Sequence, residues 1–147
     1  KILIGRTARG RGAGGDPTKG EAAALESEMS LRTITTDTQL AIIAAGMGGG
    51  SGTGAAGHIA RLAKQQGAMT IAVVTYPFNS EGATRRENAE WGLERLREHC
   101  DTILVIPNEK LLEIEIDAKL QTAVSLLSEN SKISQHKLLD LIIPIFF

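Results

Sequence analysis

Cysteine is nearly missing. Cys100 stands alone, so the chain can form no internal disulfide and no cysteine-built zinc cluster, and its composition fits a reducing compartment. Aromatic residues are scarce too: three Phe, one Trp and one Tyr are too few and too scattered to make a base-stacking surface. Charge of one sign is also lacking, since 16 Lys and Arg against 17 Asp and Glu leave a net charge of -1 with no block of like charge. The electrostatic footprint of a domain that binds nucleic acid or anionic membrane is therefore absent. The longest apolar run, Leu138 to Phe147, is interrupted by Asp140 and Pro144 and is well short of the roughly 20 residues that span a bilayer. Lys1-Ile2-Leu3-Ile4-Gly5 opens as a strand, with no basic leader or cleavage site of a signal peptide. These absences lead to the expectation of a cytoplasmic protein with no nucleic-acid partner and no direct membrane insertion. The missing initiator Met reads as a sign of a fragment.

The chain's 147 residues suffice for one domain with a sizeable core. Leu40-Ala41-Ile42-Ile43-Ala44-Ala45 is an unbroken apolar stretch of strand length and reads as a buried parallel strand. Ala55, Ile59, Leu62 and Ala63 then recur at helical spacing, opposite Arg61, Lys64, Gln65 and Gln66, and Gly67 stops the pattern. A β-branched strand, Met69 to Thr75, follows. A second helical stripe carries Ala89, Leu93, Leu96 and Cys100, and a third strand runs from Thr102 to Ile106. Strand and helix alternating at this spacing predict an α/β, doubly wound parallel sheet with helices on both faces. Before Leu40 the expectation is a strand at Lys1–Gly5, a Gly/Arg loop through Gly20 and a helix near Glu21–Met29. After Lys110 a helix is expected, with Leu111, Leu112, Ile114, Leu120, Ala123, Val124 and Leu127 as its apolar positions.

What the sequence has in plenty is glycine, 16 residues, and much of it is clustered. Gly46-Met47-Gly48-Gly49-Gly50-Ser51-Gly52-Thr53-Gly54 leaves the first apolar strand and enters the first helix, which is where open parallel sheets bind ligands. Glycines let the backbone approach an anion closely, and the amides of a helix start point N–H groups and a positive dipole end at it. Ser51 and Thr53 add hydroxyls. A mere connector would need about two residues, and every further Gly adds an ordering cost. Phosphate is the expected guest. A P-loop requires Gly-x4-Gly-Lys-Ser/Thr, and no Lys lies between Gly46 and Lys64. A dinucleotide fingerprint occurs as Gly52-x-Gly54-x-x-Gly57, but it begins past the strand end, and the next strand closes on Thr75-Tyr76 where a ribose-binding carboxylate would stand.

The third type of phosphate loop, Gly-Gly-Gly-Thr/Ser-Gly-Thr/Ser-Gly, is the signature of the tubulin superfamily, and Gly48 to Gly54 matches it throughout. Other segments resemble the FtsZ branch, the prokaryotic cell-division GTPases. Arg9-Gly10-Arg11-Gly12-Ala13-Gly14-Gly15-Asp16-Pro17 is similar to that family's glycine loop before its third helix, with Asp16 where Asn is common. Thr75-Tyr76-Pro77-Phe78-Asn79-Ser80-Glu81-Gly82, followed by Arg85, resembles its ribose loop. Ile106-Pro107-Asn108 and Leu111-Leu112 resemble the segment that comes next. The similarity runs in order from about Lys1 to Ile114.

The resemblance implies a tubulin-like GTPase fold lacking its N-terminal strand unit, with residues 1–130 a partial GTP-binding domain. Residues 131–147 are then a weakly patterned tail readable as the start of the central helix. It implies GTP or GDP as ligand; the sequence shows no His, Cys, Asp or Glu cluster of metal-ligand spacing, so any Mg²⁺ is expected to arrive with the nucleotide phosphates. Gly48, Gly49, Gly50, Ser51, Gly52, Thr53 and Gly54 would form the phosphate cradle. Gly14 and Gly15 would close over the γ-phosphate side, and Glu81 and Arg85 would lie near the ribose. Glu81 and Arg85 read on their own as an ordinary surface ion pair at i,i+4. Val124 stands where the family usually has a stacking Phe, with Glu129 or Asn130 as candidate base readers. Catalytic residues are expected in trans, from an acidic loop of a neighbouring subunit, and the partners implied are further copies in a filament and other division proteins. Gly57 replaces a usual Pro. The alternatives are an NAD-dependent oxidoreductase domain built on the dinucleotide fingerprint and a structural fragment that binds nothing. His58 reads as a solvated helix residue, Cys100 as small packing volume, Trp91 as core cover, and Met29, Met47 and Met69 as gap fillers.

Overall fold

A computed structural model describes residues 2–6 and 11–112. Two helices come first, α1 (Pro17–Glu26) and α2 (Glu28–Thr35), then β1 (Leu40–Gly46), α3 (Ser51–Gln65), β2 (Met69–Tyr76), a turn of 3-10 helix at Asn79–Glu81, α4 (Ala83–His99) and β3 (Thr102–Pro107). Residues 108–112 are again helical. The later positions of the expected C-terminal helix and the boundary near residue 130 lie outside the described residues.

Helix α1 begins where the sequence suggested a loop. Asp16 caps it, its Oδ1 accepting from the Thr18 amide at 3.0 Å and from the Thr18 hydroxyl at 2.7 Å. Pro17 at the first helical position has its φ preset and no N–H to lose. The pair lies inside the expected loop and starts a helix instead. Helix α2 continues past the expected end at Met29 as far as Thr35. At the other end, residues 2–5 form no strand, because none of the three strands runs beside them. Ile4 packs instead against the cluster of Ala24, Leu31, Ala55 and Leu62.

The sheet has the order β1-β2-β3, parallel throughout. Parallel neighbours require a crossover, and α3 and α4 supply it. Ile43 on β1 pairs in register with Ala72 on β2. These two and Val74 pack with Met47, Ala56, Ala60, Ala89, Leu93 and Leu96, so α3 and α4 cover the same face. Leu62, Leu96 and Val74 are among the largest fully buried side chains, each worth about 1.5–3 kcal/mol of transfer free energy. Strand β1 is buried on this face alone: Ile42 on the other side is 64% exposed, and no helix among the described residues covers that side. Helices α1 and α2 stack on α3. Among the described residues no helix is long and apolar enough to cross a membrane.

Because the strands run the same way, their C-terminal ends lie along one edge, with Gly46 opposite Thr75 and Tyr76 opposite Pro107. The loop after β1 and the turn after β2 leave from that edge.

Candidate functional site

Two glycine turns meet at the strand ends. The first is the 46–50 loop, whose Met47 amide donates to Thr75 O at 2.9 Å and so extends the ladder one residue past β1. The chain then turns at Gly48, φ +103°, a conformation open to glycine. A Cβ there would also lie 2.9 Å from Arg85 O and 3.2 Å from Pro77 Cγ. The second is the turn Ala13–Asp16, with Gly14 at φ +61° and Gly15 at φ +79°. Space is open at Gly14, Gly15 and Gly49, where an added Cβ would meet nothing within 4 Å.

The turns are joined by polar side chains. The Ala13 amide donates to Ser51 Oγ at 3.2 Å, and Ser51 is exposed at the start of α3. The Asn88 carboxamide on α4 donates to Gly15 O at 2.8 Å and to Gly48 O at 3.2 Å. Nothing in the sequence reading singled out Asn88. One signal was available, since an Asn three residues after Arg85 is one helical turn further along the face that meets the loop.

Thr53 is fully buried, and its Oγ1 accepts from the Gly48 amide at 2.9 Å. A hydroxyl so placed braces the loop from inside and offers nothing to a ligand in solvent. Gly50 and Gly54 are likewise packing positions. A Cβ on Gly50 would meet Ala13 Cβ at 2.7 Å and Asp16 N at 2.8 Å, and one on Gly54 would strike Pro17 O of α1. Gly52 faces Gly46 O at 3.1 Å by the same measure. The first amide of α3 with an intrahelical acceptor is Gly54 N–H, bonded to Gly50 O at 2.9 Å. The N–H groups of Ser51, Gly52 and Thr53 precede that bond and have no acceptor within the helix. Exposed Gly52 is one of them. Gly54 and Gly57 lie inside α3, and a Cβ on Gly57 would come 2.8 Å from Arg95 Cβ of α4. They serve helix packing, which removes the geometric basis of a dinucleotide fingerprint at a strand end and explains why Gly stands at position 57.

Glu81 and Arg85 are together at the rim. Glu81 Oε1 accepts from the Phe78 amide at 2.9 Å, and its Oε2 lies 3.3 Å from Arg85 Nη1. The Glu81 carboxylate thus closes its own turn, and Arg85 abuts Gly48. Val124, Glu129 and Asn130 lie outside the described residues. Hydrogen bonding from the Thr18 hydroxyl, helped by the Lys19 charge, holds the Asp16 carboxyl below the usual range despite partial desolvation. Among the described residues no group of three or more His, Cys, Asp or Glu is placed to hold a metal ion.

Away from the site, the expectations for His58, Met29 and Met69 are corrected, and those for Met47 and Cys100 hold. His58 is buried at 6% exposure and not solvated. Arg61 Nη2 lies 3.1 Å from its Nδ1, and Glu28 Oε2 lies 3.3 Å from its Nε2, within ion-pair reach but misaligned for a hydrogen bond. Burial first, then the Arg61 charge, pushes the imidazole pKa down. Met47 fills core space, whereas Met29 and Met69 are 86% and 56% exposed. Trp91 lies under the Arg95 guanidinium, 3.3 Å from ring centroid to Cζ. Cys100, at the end of α4, packs against the sheet core.

Comparison with known proteins gives the same lineage at every level. Residues 1–115 match the family model described as Tubulin/FtsZ family, GTPase domain. The cell division protein FtsZ 1 of Archaeoglobus fulgidus is 51% identical over 130 residues, 88% of this chain and 35% of that protein. A solved structure titled as an empty FtsZ dimer of M. jannaschii aligns with TM-score 0.76 at 53% identity, covering 78% of this chain and 34% of that one. CetZ1 from Haloferax volcanii, titled a GDP-bound monomer, aligns with TM-score 0.65 at 25% identity over 73% of this chain and 34% of that one. The chain spans about a third of the length of the curated relatives it matches.

Proposed function

The chain belongs to the Tubulin/FtsZ family, GTPase domain, and from that premise we propose that its two glycine turns hold the phosphates of GTP or GDP. The observation that carries this reading is the open space at Gly14, Gly15 and Gly49, in two turns that the Ala13 amide ties to Ser51 at the start of α3. Backbone N–H groups there are preorganised donors, and a helix N-terminus favours negative charge. A relative at 25% identity is titled as GDP-bound, which fits the same cradle.

In this proposal Gly48, Gly49, Gly50, Ser51, Gly52, Thr53 and Gly54 make one wall. The exposed Ser51 hydroxyl and early α3 amides donate, while Thr53, Gly50 and Gly54 keep the wall in shape. Gly14 and Gly15 form the opposite wall. Arg85 offers a planar donor fork to polar nucleotide groups, and Glu81 accepts from ribose hydroxyls while it closes its turn. Mg²⁺ arriving with the nucleotide would neutralise charge shared by the phosphate oxygens. Fixed N–H donors stabilise charge that develops on a transferring phosphoryl group without reorganising. The attacking water would be positioned in trans by a neighbouring subunit of the whole protein. Hydrolysis is thereby coupled to filament assembly in prokaryotic cell division, in the cytoplasm and beside other division proteins.

Titrating the 147-residue chain with guanosine, GMP, GDP, GTP, ATP and NAD tests this reading. Affinity should rise with the number of phosphates, with GTP and ATP nearly equal because these walls read phosphate and not base. Binding that ignores phosphate number, or that favours NAD, would overturn it.

A further inference from the structure

We infer that Asn88 is a positioning residue for the phosphate cradle: its carboxamide ties the Gly14–Gly15 turn to the Gly48 loop and sets the gap between the two walls. The inference rests on the reading that these walls hold phosphate. Both groups facing the side-chain nitrogen are carbonyl oxygens, Gly15 O at 2.8 Å and Gly48 O at 3.2 Å, so the NH₂ end must face them and both of its hydrogens are used. The two bonds span 73 and 40 positions of sequence and bring three elements to one atom. Each accepting carbonyl belongs to a glycine of positive φ, in a turn whose direction changes at that residue.

The turn from Ala13 to Gly15 hangs from two pins. Ser51, from the start of α3, takes the Ala13 amide at 3.2 Å, and Asn88, from α4, holds the Gly15 carbonyl. Gly14, φ +61°, lies between them with nothing within 4 Å of an added Cβ. Removing one pin frees one end of a glycine-rich turn, and glycine backbone gains more freedom than any other when released. Donors intended for one anion must be held to a fraction of an ångström. Arg85, one turn before Asn88, presses its backbone on Gly48, so the same stretch of α4 carries the candidate ribose contact and the pin.

Asn88→Ala removes the pin, and Asn88→Asp keeps its shape while replacing both donors with acceptors. In the nucleotide-free chain, both variants should speed amide hydrogen exchange in the 13–16 and 46–50 turns by roughly tenfold, the loss of about one net hydrogen bond, relative to amides of β2 in the same variant. Both should weaken GTP binding by a similar factor and leave guanosine binding unchanged, a split that a general loss of stability would not produce. Unchanged exchange in both turns would overturn the pin while leaving the phosphate reading intact. A wild-type chain that binds GTP no better than guanosine would instead remove the reading on which the pin's role depends.

Discussion

Ser51 and Thr53 stand two positions apart, and sequence alone gives both the same role as hydroxyl donors. Structure separates them. Thr53 is fully buried and accepts from the buried Gly48 amide, whereas Ser51 is exposed with its Oγ on Ala13 N–H. Thr53→Val keeps the shape and orphans the Gly48 amide, so it should cost about 1–3 kcal/mol of stability, read from denaturant midpoints. Ser51→Ala should leave those midpoints nearly unchanged and weaken GTP binding. Equal stability losses in the two variants would contradict this division. The glycines divide in the same way. A bulky residue at Gly50 would collide with Ala13 and Asp16 before reaching any ligand, so its effect on binding would come through displacement of the turn. Composition marks a glycine, but what a Cβ would strike depends on a segment far along the chain.

Among the elements, three strands and the helices between them were legible, because apolar period and turn residues agree at each. Before β1 they do not agree. Gly20 argued for a loop, yet it lies inside α1 because a Cβ there would strike Gly50 O, a contact that no local pattern encodes. His58 on α3 is likewise buried where local pattern suggests solvent, since part of its surroundings, Glu28 at 3.3 Å, comes from α2. The junction between those helices sets a pH dependence. Burial, foremost, holds the His58 imidazole below its ordinary value, so the unfolded chain binds its proton more readily. Stability from the neutral imidazole is therefore complete above the unfolded pKa of about 6.5 and declines as pH falls through it. Glu28 is held below the usual carboxylate range, first by the Arg32 hydrogen bond; its contribution is present above the unfolded value and is lost at lower pH, as the folded pKa is approached. Both slopes have the same sign. Urea midpoints should fall between about pH 7 and pH 5, and His58→Gln should flatten the upper part of that decline. Midpoints that rise as pH falls would show that the imidazole is better charged than neutral where it sits.

At the scale of the whole molecule, the parallel sheet and the position of the glycine loop at its C-terminal edge follow from pattern alone. The meeting of that loop with residues 13–16 does not, because it depends on α1 crossing α3 at Gly54 and on Asn88 reaching from α4. Sequence therefore pointed to the ingredients of the cradle but not to the side chains that hold its walls together. The most direct test of the cradle is a GTP titration followed in amide NMR spectra of the isotope-labelled chain, which detects weak binding and locates it. The predicted result is a set of saturable shifts concentrated at Gly14, Gly15 and Gly48 to Gly54, with smaller shifts for guanosine at equal concentration. Shifts confined to other surfaces, such as the exposed side of β1, or none at these glycines when GTP is in large excess, would contradict it.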